Sequence, residues 1–544
     1  MKAGRRKRGG KSGIFFTTVI FCFLIVYYSQ VNYISKIDIQ KLSSIVTTVA
    51  HGGKRKGKEL ATLRCDNYDY YTDQKDADDM VYWYNIPQDE SYINPFLKKN
   101  KEKGIEQFLL FQQDNAGFNN RRMSIETIIT MGLSMGRTIV LPPSQPFYMF
   151  WENGAKNDFS FEDFFHLHYA HIENAGVNII TMEEFLQRVI SEKLIVNDAG
   201  EPIFPPGNRT DWNGLKEYGP ELQNLKDWIE QNAYSVVGWD SNNCMTYWPK
   251  TTMENADLLR IKRLATETQG VKIDTIKPIP VNASIEARFV SQIAQRQELC
   301  LYDEHMQSSN FLYFKMDYDV KKGNRFLSPF YTFNFYEDWR EALWMKRFVR
   351  DHLRYHDELM CAAARVVGAI RKRVRARGFV DGKFNTMHVR RGDFAKQFKH
   401  ALITPEEMNK IAEKYIEKNS TIFIATDEKN RTYFDILTQH YDICFLDDFA
   451  NEVKGINKNL FGIIDQITVS RGELFIGTAL STLSAYANRL RGYYSTRDEL
   501  GGLKSYYFSR HHRNLMLNYL HIQGPLWAYE FSTSWTDIDH DVLI

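Results

Sequence analysis

The stretch FNTMHVRRGDF, Phe384 to Phe394, carries an apolar strand-like segment straight into two arginines, a glycine and an aspartate. Core packing gives no reason to end a buried strand on a histidine, two cations and a carboxylate. Anion binding does. A guanidinium presents fixed parallel donors and never loses its charge, which suits a diphosphate that must be neutralised as it departs. The ordinary alternative pairs one arginine with Asp393 and leaves the other solvated.

Downstream, strand and helix patterns alternate. The segments TIFIAT (Thr421 to Thr426), ICFLDD (Ile443 to Asp448) and ELFIGT (Glu473 to Thr478) read as strands. Between and after them come PEEMNKIAEKYIEK behind a Thr404–Glu407 capping box, a helix starting beyond Asp427, LFGIIDQITVSRG and STLSAYANRLR. A long helical run, Glu337 to Gly378, precedes the series. Four strand–helix units in succession predict a parallel, doubly wound sheet, whose ligands bind beyond the carboxyl ends of the strands. An earlier unit has the same grammar: strand GIEQFLLFQQ, loop DNAGFNNRR, helix MSIETIITMGLSMG and strand RTIVLPP, spanning Gly104 to Pro143. The fold class expected is α/β, with two Rossmann-like domains facing a central cleft. Loops DNAGFNNRR, HVRRGD and GTALST all fall at strand ends and would surround that cleft. Ser481 and Thr482 open a helix, where free backbone N–H groups and hydroxyls favour an anion; an ordinary N-cap is the alternative. Residues 150–330, rich in aromatics, prolines and turn signals, give no legible order of elements.

The first residues set the compartment. The cationic MKAGRRKRGGKSG is followed by the uncharged apolar IFFTTVIFCFLIVYY, Ile14 to Tyr28, with no small-residue cleavage signal after it. This predicts a signal-anchor helix, basic end cytoplasmic and the rest lumenal, in the Golgi or endoplasmic reticulum membrane. A cleaved signal and a secreted product is the alternative. The expected division is a basic tail 1–13, an anchor 14–30 and a stem 31–104 partly ordered near DMVYWYNIP. Domains at 105–345 and 346–495 follow, then a C-terminal segment 496–544 packing back on them. Four N-x-S/T sequons, at Asn208, Asn282, Asn419 and Asn430, agree with a lumenal setting. Outside the apolar span lie Cys65, Cys244, Cys300, Cys361 and Cys444, an odd set requiring an unpaired thiol or an intermolecular bond. Cys361 and Cys444 sit in apolar periodic segments and read as buried small hydrophobes, so any disulfide is expected among Cys65, Cys244 and Cys300.

Net charge of only +2 over 544 residues excludes a nucleic-acid partner of the polycationic kind. No C-x-x-C or His/Cys cluster suggests a structural metal. The one rival site is Asp317-Tyr318-Asp319, a D-x-D triplet that could hold a divalent cation under a nucleotide sugar, although a turn follows it. The acidic run Asp537 to Asp541 reads as a solvated terminus.

With these residues in view, the chain resembles the GDP-fucose protein O-fucosyltransferases. HVRRGDF is similar to the H-x-R-R-x-D peptide that they share with the α1,2- and α1,6-fucosyltransferases. AGFNNRRMSIETIITMGLSMGRTIVLPP and DFSFEDFF resemble the family's first-domain block, and IATDE and IIDQITVSRGELFIGTALSTLSAYANRLRG its later ones, in the right order. The resemblance implies a GT-B enzyme that takes GDP-fucose, inverts the anomeric carbon and needs no metal or other cofactor. By position, Arg390 would contact the β-phosphate and stabilise departing GDP, with His388 and Asp393 shaping its site. Asp465 would read guanine, accepting from N1–H and N2–H together. Ser481, Thr482 and Leu483 would wrap the diphosphate, and Gly117, Phe118 and Asn119 would face sugar and phosphate. Some family members carry a glutamate base just before the GFN glycine. Here that position is Ala116, leaving Asp114 as the candidate catalytic base. The acceptor implied is a glycoprotein or peptide hydroxyl. A glycan-directed enzyme, another deoxysugar transferase, and a catalytically silent sugar-nucleotide binder stay open at this point.

Overall fold

In the computed structural model, described over residues 59–541 apart from 67, 69, 87–88, 90–94, 147–157, 168–177, 207–219, 250–254, 269–279, 294–295, 297, 500–503, 509–531, 537 and 540, the alternating patterns become strands and helices. The expected anchor at 14–30 and the sequon at Asn208 lie outside the described residues. Among those described, no helix is long and apolar enough to cross a membrane.

A short helix comes first, α1 (Gln74–Met80), capped by the Asp73 carboxylate, which accepts from the Lys75 and Asp76 amides. Strand β1 (Phe108–Phe111), helix α2 (Phe118–Met135) and strand β2 (Thr138–Leu141) then form the predicted unit. Strands β3 (Ile179–Thr181), β4 (Tyr234–Val236), β5 (Cys244–Trp248), β6 (Glu298–Cys300), β7 (Phe311–Phe314) and β8 (Asn334–Tyr336) fill the stretch that pattern alone did not order. Helices α3 (Trp339–His352) and α4 (Asp357–Ala376) break the long helical run in two. The second half alternates β9 (Asn385–Val389), α5 (Pro405–Tyr415), β10 (Thr421–Thr426), β11 (Asp442–Cys444), α6 (Phe461–Val469), β12 (Phe475–Thr478), α7 (Thr482–Arg497) and β13 (Ser505–Phe508).

These strands build two five-stranded sheets, ordered β3-β2-β1-β7-β4 and β11-β10-β9-β12-β13, every pairing parallel. A separate three-stranded parallel sheet is ordered β6-β5-β8. Central strands β1, β2 and β9 are buried nearly throughout, as parallel strands covered on both faces must be. The predicted capping box is present, Thr404 and Glu407 each bonding the other's backbone.

Three expectations change. The stretch expected to be stem joins the folded body: Leu63, Ala77, Met80, Tyr82 and Trp83 are almost inaccessible, and α1 packs on α4. Its aspartates, which made it read as solvated, are ion-paired instead. Asp79 meets Arg371, Arg471 and Arg497 at 2.6, 2.7 and 3.2 Å. The acidic C-terminal run is likewise held: Ile538 is buried, Asp539 pairs with Arg350 at 2.9 Å and Asp541 with Arg347 at 2.6 Å. Cys361 is not a spectator hydrophobe, because it is bonded to Cys65, while Cys244 bonds Cys300. Cys444 is the buried free thiol, its pKa pushed up by burial.

Burial alone would raise the Asp79 pKa, but the Arg471 and Arg371 charges outweigh it and hold the carboxyl at about 2. A depressed folded-state value stabilises above the unfolded pKa and loses that contribution as pH falls through the folded one. Asp79→Asn is therefore expected to cost about 2 kcal/mol at neutral pH, the gap to wild type closing as denaturation is repeated from pH 4 towards pH 2. A gap that does not change with pH would show that this ion pair is not the source.

Candidate active site

Six loops leave the carboxyl ends of parallel strands and meet around one cavity of ≈ 390 Å³, within the range of small-molecule sites. From the first sheet come Gly117–Asn120 after β1, Asn242 after β4, and Arg325 with Leu327 after β7. From the second come Arg390, Asp393 and Phe394 after β9, Asn459, Gly462 and Ile463 after β11, and Leu480–Leu483 after β12. In parallel α/β sheets this is where ligands bind.

Arg390 leaves β9 with its backbone N–H bonded to Thr478 Oγ1 at 2.9 Å, and the same hydroxyl donates to the His388 carbonyl at 2.8 Å. Its guanidinium is forked between Asp393 Oδ1 at 2.6 Å and Asp427 Oδ2 at 2.8 Å, with the side chain 22% exposed. Asp427 can come so close because residue 392 is glycine: a Cβ there would stand 2.5 Å from Asp427 Oδ2. Arg391 has a different duty. It pairs with Glu428 at 2.7 Å, lies 3.9 Å over the Tyr433 ring, and does not line the cavity.

His388 is buried behind Arg390 with Nδ1 2.7 Å from Ser484 Oγ. Burial first, and the Arg390 charge second, push its pKa down to about 3. It is neutral at physiological pH, leaving positive charge concentrated on the guanidinium. Helix α7 begins at Thr482 after Leu480, a non-glycine residue at φ +65, a strained conformation of the kind that collects at functional sites. The Ser481 side chain makes no cap bond, so the helix start presents free N–H groups to the cavity.

Of the predicted site residues, Gly117, Phe118, Asn119, Arg390, Asp393, Ser481, Thr482 and Leu483 line this cavity; His388, Asp465 and Asp114 do not. Asp465 lies one helical turn beyond Gly462, with Oδ1 buried and without a partner among the described residues. Burial, then the Asp447 charge, raises its pKa well above the carboxylate range. Asp114 is buried and tied to its own loop, accepting from the Ala116 amide at 2.6 Å. Desolvation raises its pKa against the opposing field of Arg325 and Arg121. Asp317 and Asp319 are spent on a turn: Asp317 accepts from the Asp319 amide at 2.9 Å, and Asp319 pairs with Lys322 at 3.5 Å.

Pattern reading missed several polar groups. Asn120 Oδ1, Asn242 Oδ1, Arg325 Nε and Asn459 Nδ2 are buried at the cavity with no hydrogen-bond partner among the described residues. Unmet buried polar atoms are costly, and clustered around one opening they mark groups that a ligand satisfies. Gln466 joins the two halves, donating from Nε2 to Asn119 Oδ1 at 2.8 Å and accepting from the Tyr355 hydroxyl at 2.7 Å. Single asparagines and glutamines in loops give no periodic or motif signal.

A cavity between two parallel sheets, with a guanidinium and a helix start on one wall, suits a phosphorylated ligand. The family model for GDP-fucose protein O-fucosyltransferase matches residues 108–494. The chain belongs to that family and is a fucosyltransferase, taking fucose from GDP-fucose.

Solved structures to which the chain is similar include POFUT1 bound to GDP-fucose, 12% identical, with 77% of this chain and 99% of that one covered at a TM-score of 0.34. Arabidopsis thaliana FUT1 with GDP is 11% identical, covering 76% and 72% at 0.32. Bradyrhizobium NodZ is 13% identical, covering 71% and 92% at 0.31. No curated protein sequence matches the chain.

Proposed function

We propose that the chain is a GT-B enzyme, its lobes being residues 105–345 and 346–495, that transfers fucose with inversion to a serine or threonine hydroxyl of a protein. The observation that carries this reading is the joining of Arg390, the Ser481–Leu483 helix start and the Gly117–Asn119 loop on one cavity. Arg390 and the α7 amides would bind the diphosphate, and the guanidinium would take up charge as the bond from C1 to the β-phosphate oxygen breaks. Asp465, once ionised, would meet guanine N1–H and N2–H with its two carboxylate oxygens, of which Oδ1 has no partner among the described residues. His388 acts through Ser484 and Arg390 as a positioning residue.

Departure of GDP assisted by Arg390 is the main driving element of this mechanism. Asp114 is placed to hold the Gly117–Asn119 loop through Ala116, and to take the acceptor proton it would need that loop to open. The acceptor oxygen attacks C1 from the face opposite GDP as the bond to the β-phosphate oxygen breaks, its proton passing to solvent, which inverts the configuration. The enzyme is further proposed to sit in the Golgi or endoplasmic reticulum membrane through residues 14–30.

A donor screen across GDP- and UDP-sugars with a serine/threonine-bearing acceptor tests the reading. GDP-fucose alone should label the acceptor, and the anomeric configuration of the product, read by NMR, should be opposite to that of the donor. Label going only to a free glycan would replace the protein acceptor. Activity is also expected to be unchanged in EDTA. A loss in EDTA that Mn²⁺ restores would return attention to Asp317 and Asp319.

A further inference from the structure

Arg390 cannot neutralise a sugar-nucleotide diphosphate by itself. Asp393 and Asp427 already hold its guanidinium, and Glu428 holds Arg391. Two guanidiniums among three carboxylates leave that wall one charge negative, while the diphosphate of a nucleotide sugar is a dianion. The other wall supplies a second cation. Among the described residues lining the cavity, only Arg390 and Arg325 are cationic, and Arg325 makes no side-chain hydrogen bond or ion pair with a described residue. Asp114 feels its field from behind the wall without bonding to it.

The loop that carries Arg325 is rigid. Its N–H donates to the Trp239 carbonyl at 2.8 Å and its carbonyl accepts from Ser241 N–H at 3.0 Å. The preceding Asn324 is fully buried, donating to the Val236 and Lys315 carbonyls at 2.6 and 3.0 Å and accepting from the Trp239 amide at 3.0 Å. The guanidinium stands 4.3 Å from the centroid of the Tyr318 ring. A cation–π contact of this kind holds the guanidinium without using its N–H donors. The Asp317–Asp319 turn, read from sequence as a rival metal site, is thus the piece that offers Tyr318 to Arg325.

We infer that Arg325 binds the donor's diphosphate from the wall opposite Arg390, so that the departing GDP is clamped by one guanidinium from each sheet. The inference rests on the GDP-fucose reading of this cavity. Losing a charge-assisted bond to phosphate weakens binding roughly ten- to hundredfold.

Isothermal titration of the purified full chain with GDP, inorganic pyrophosphate and guanosine tests it. Arg325→Ala should lose that factor for GDP and pyrophosphate but bind guanosine as wild type does, and Arg325→Lys should regain part of the loss. Arg325→Gln, which keeps much of the side-chain stem, carries the same expectation should the alanine variant not fold. GDP affinity within twofold of wild type in the alanine or glutamine variant overturns the inference and leaves the donor reading intact. A parallel fall in guanosine binding overturns it too, since that marks a merely structural role. Wild type that binds neither GDP nor pyrophosphate overturns both.

Discussion

Replacing Arg390 by alanine leaves a folded protein whose fucose transfer falls roughly 10²–10³-fold. The side chain is partly exposed on a cavity wall, and its two ion pairs are not buried ones. Pairs of that kind are worth about 0–1 kcal/mol, so thermal stability should hardly move. What is lost is preorganised charge at the oxygen where negative charge develops. Asp393 and Asp427 hold the fork before substrate arrives, so little reorganisation is needed in the transition state. Arg390→Lys should recover little, because an ammonium cannot span two carboxylates and a phosphate with fixed geometry. Arg391→Ala is the control: stacked on Tyr433 and paired to Glu428, it should retain most activity. Labelled GDP-fucose incorporation undiminished in Arg390→Ala would remove the charge-compensation mechanism.

Glu126→Gln is expected to destabilise the protein by about 3–5 kcal/mol, read by chemical denaturation. Glu126 on α2 contacts Arg122 on the same helix at 2.5 Å and Arg489 on α7 at 2.9 Å, all three nearly inaccessible. Arg122 also lies 3.6 Å over the Tyr486 ring. Nearby Lys346 is already pushed down to about 8 by burial and by the Arg489 charge. Removing the carboxylate leaves buried cations facing one another across the two halves. The same helices carry Asn119 and the Ser481–Leu483 start, so activity should fall with stability. The triple change Glu126→Leu, Arg122→Met and Arg489→Met should cost less than Glu126→Gln, because neither buried guanidinium is then left without its carboxylate. An equal or larger cost would point to packing rather than charge.

Much of the second half was legible because each element carried a full signal. Strands such as Thr421–Thr426 are continuous apolar runs, and α5 announced itself through its Thr404–Glu407 box. Arg390 and Ser481 could be named because they sit where a strand pattern stops, whereas Asn119 was named from the family resemblance of its loop. The first sheet was harder: β3 and β4 are three residues long, too short for a period, and the helices Met182–Ser191 and Pro220–Asn232 come between them. Arg325, Asn242 and Asn459 were invisible for a related reason. Their chemistry comes from being left without partners where several loops converge, a three-dimensional property that no spacing encodes. The reading of Asp114 as a base failed to anticipate burial, since a short loop can turn a side chain either way. Aspartates in α1 and the C-terminal run misled in the opposite sense, because acidic segments look solvated until their arginines, hundreds of residues away, are brought to them.

The bond between Cys65 and Cys361 spans 296 residues, whereas Cys244 and Cys300 are 56 apart. At ~5–20 residues per second of synthesis, about 15–60 s pass before Cys65 can meet its partner. Before Cys361 is made, Cys244 and Cys300 emerge as thiols that Cys65 could capture wrongly. Closure of the short bridge first would remove those competitors, so the spacing favours sealing the middle of the chain before its beginning is fastened.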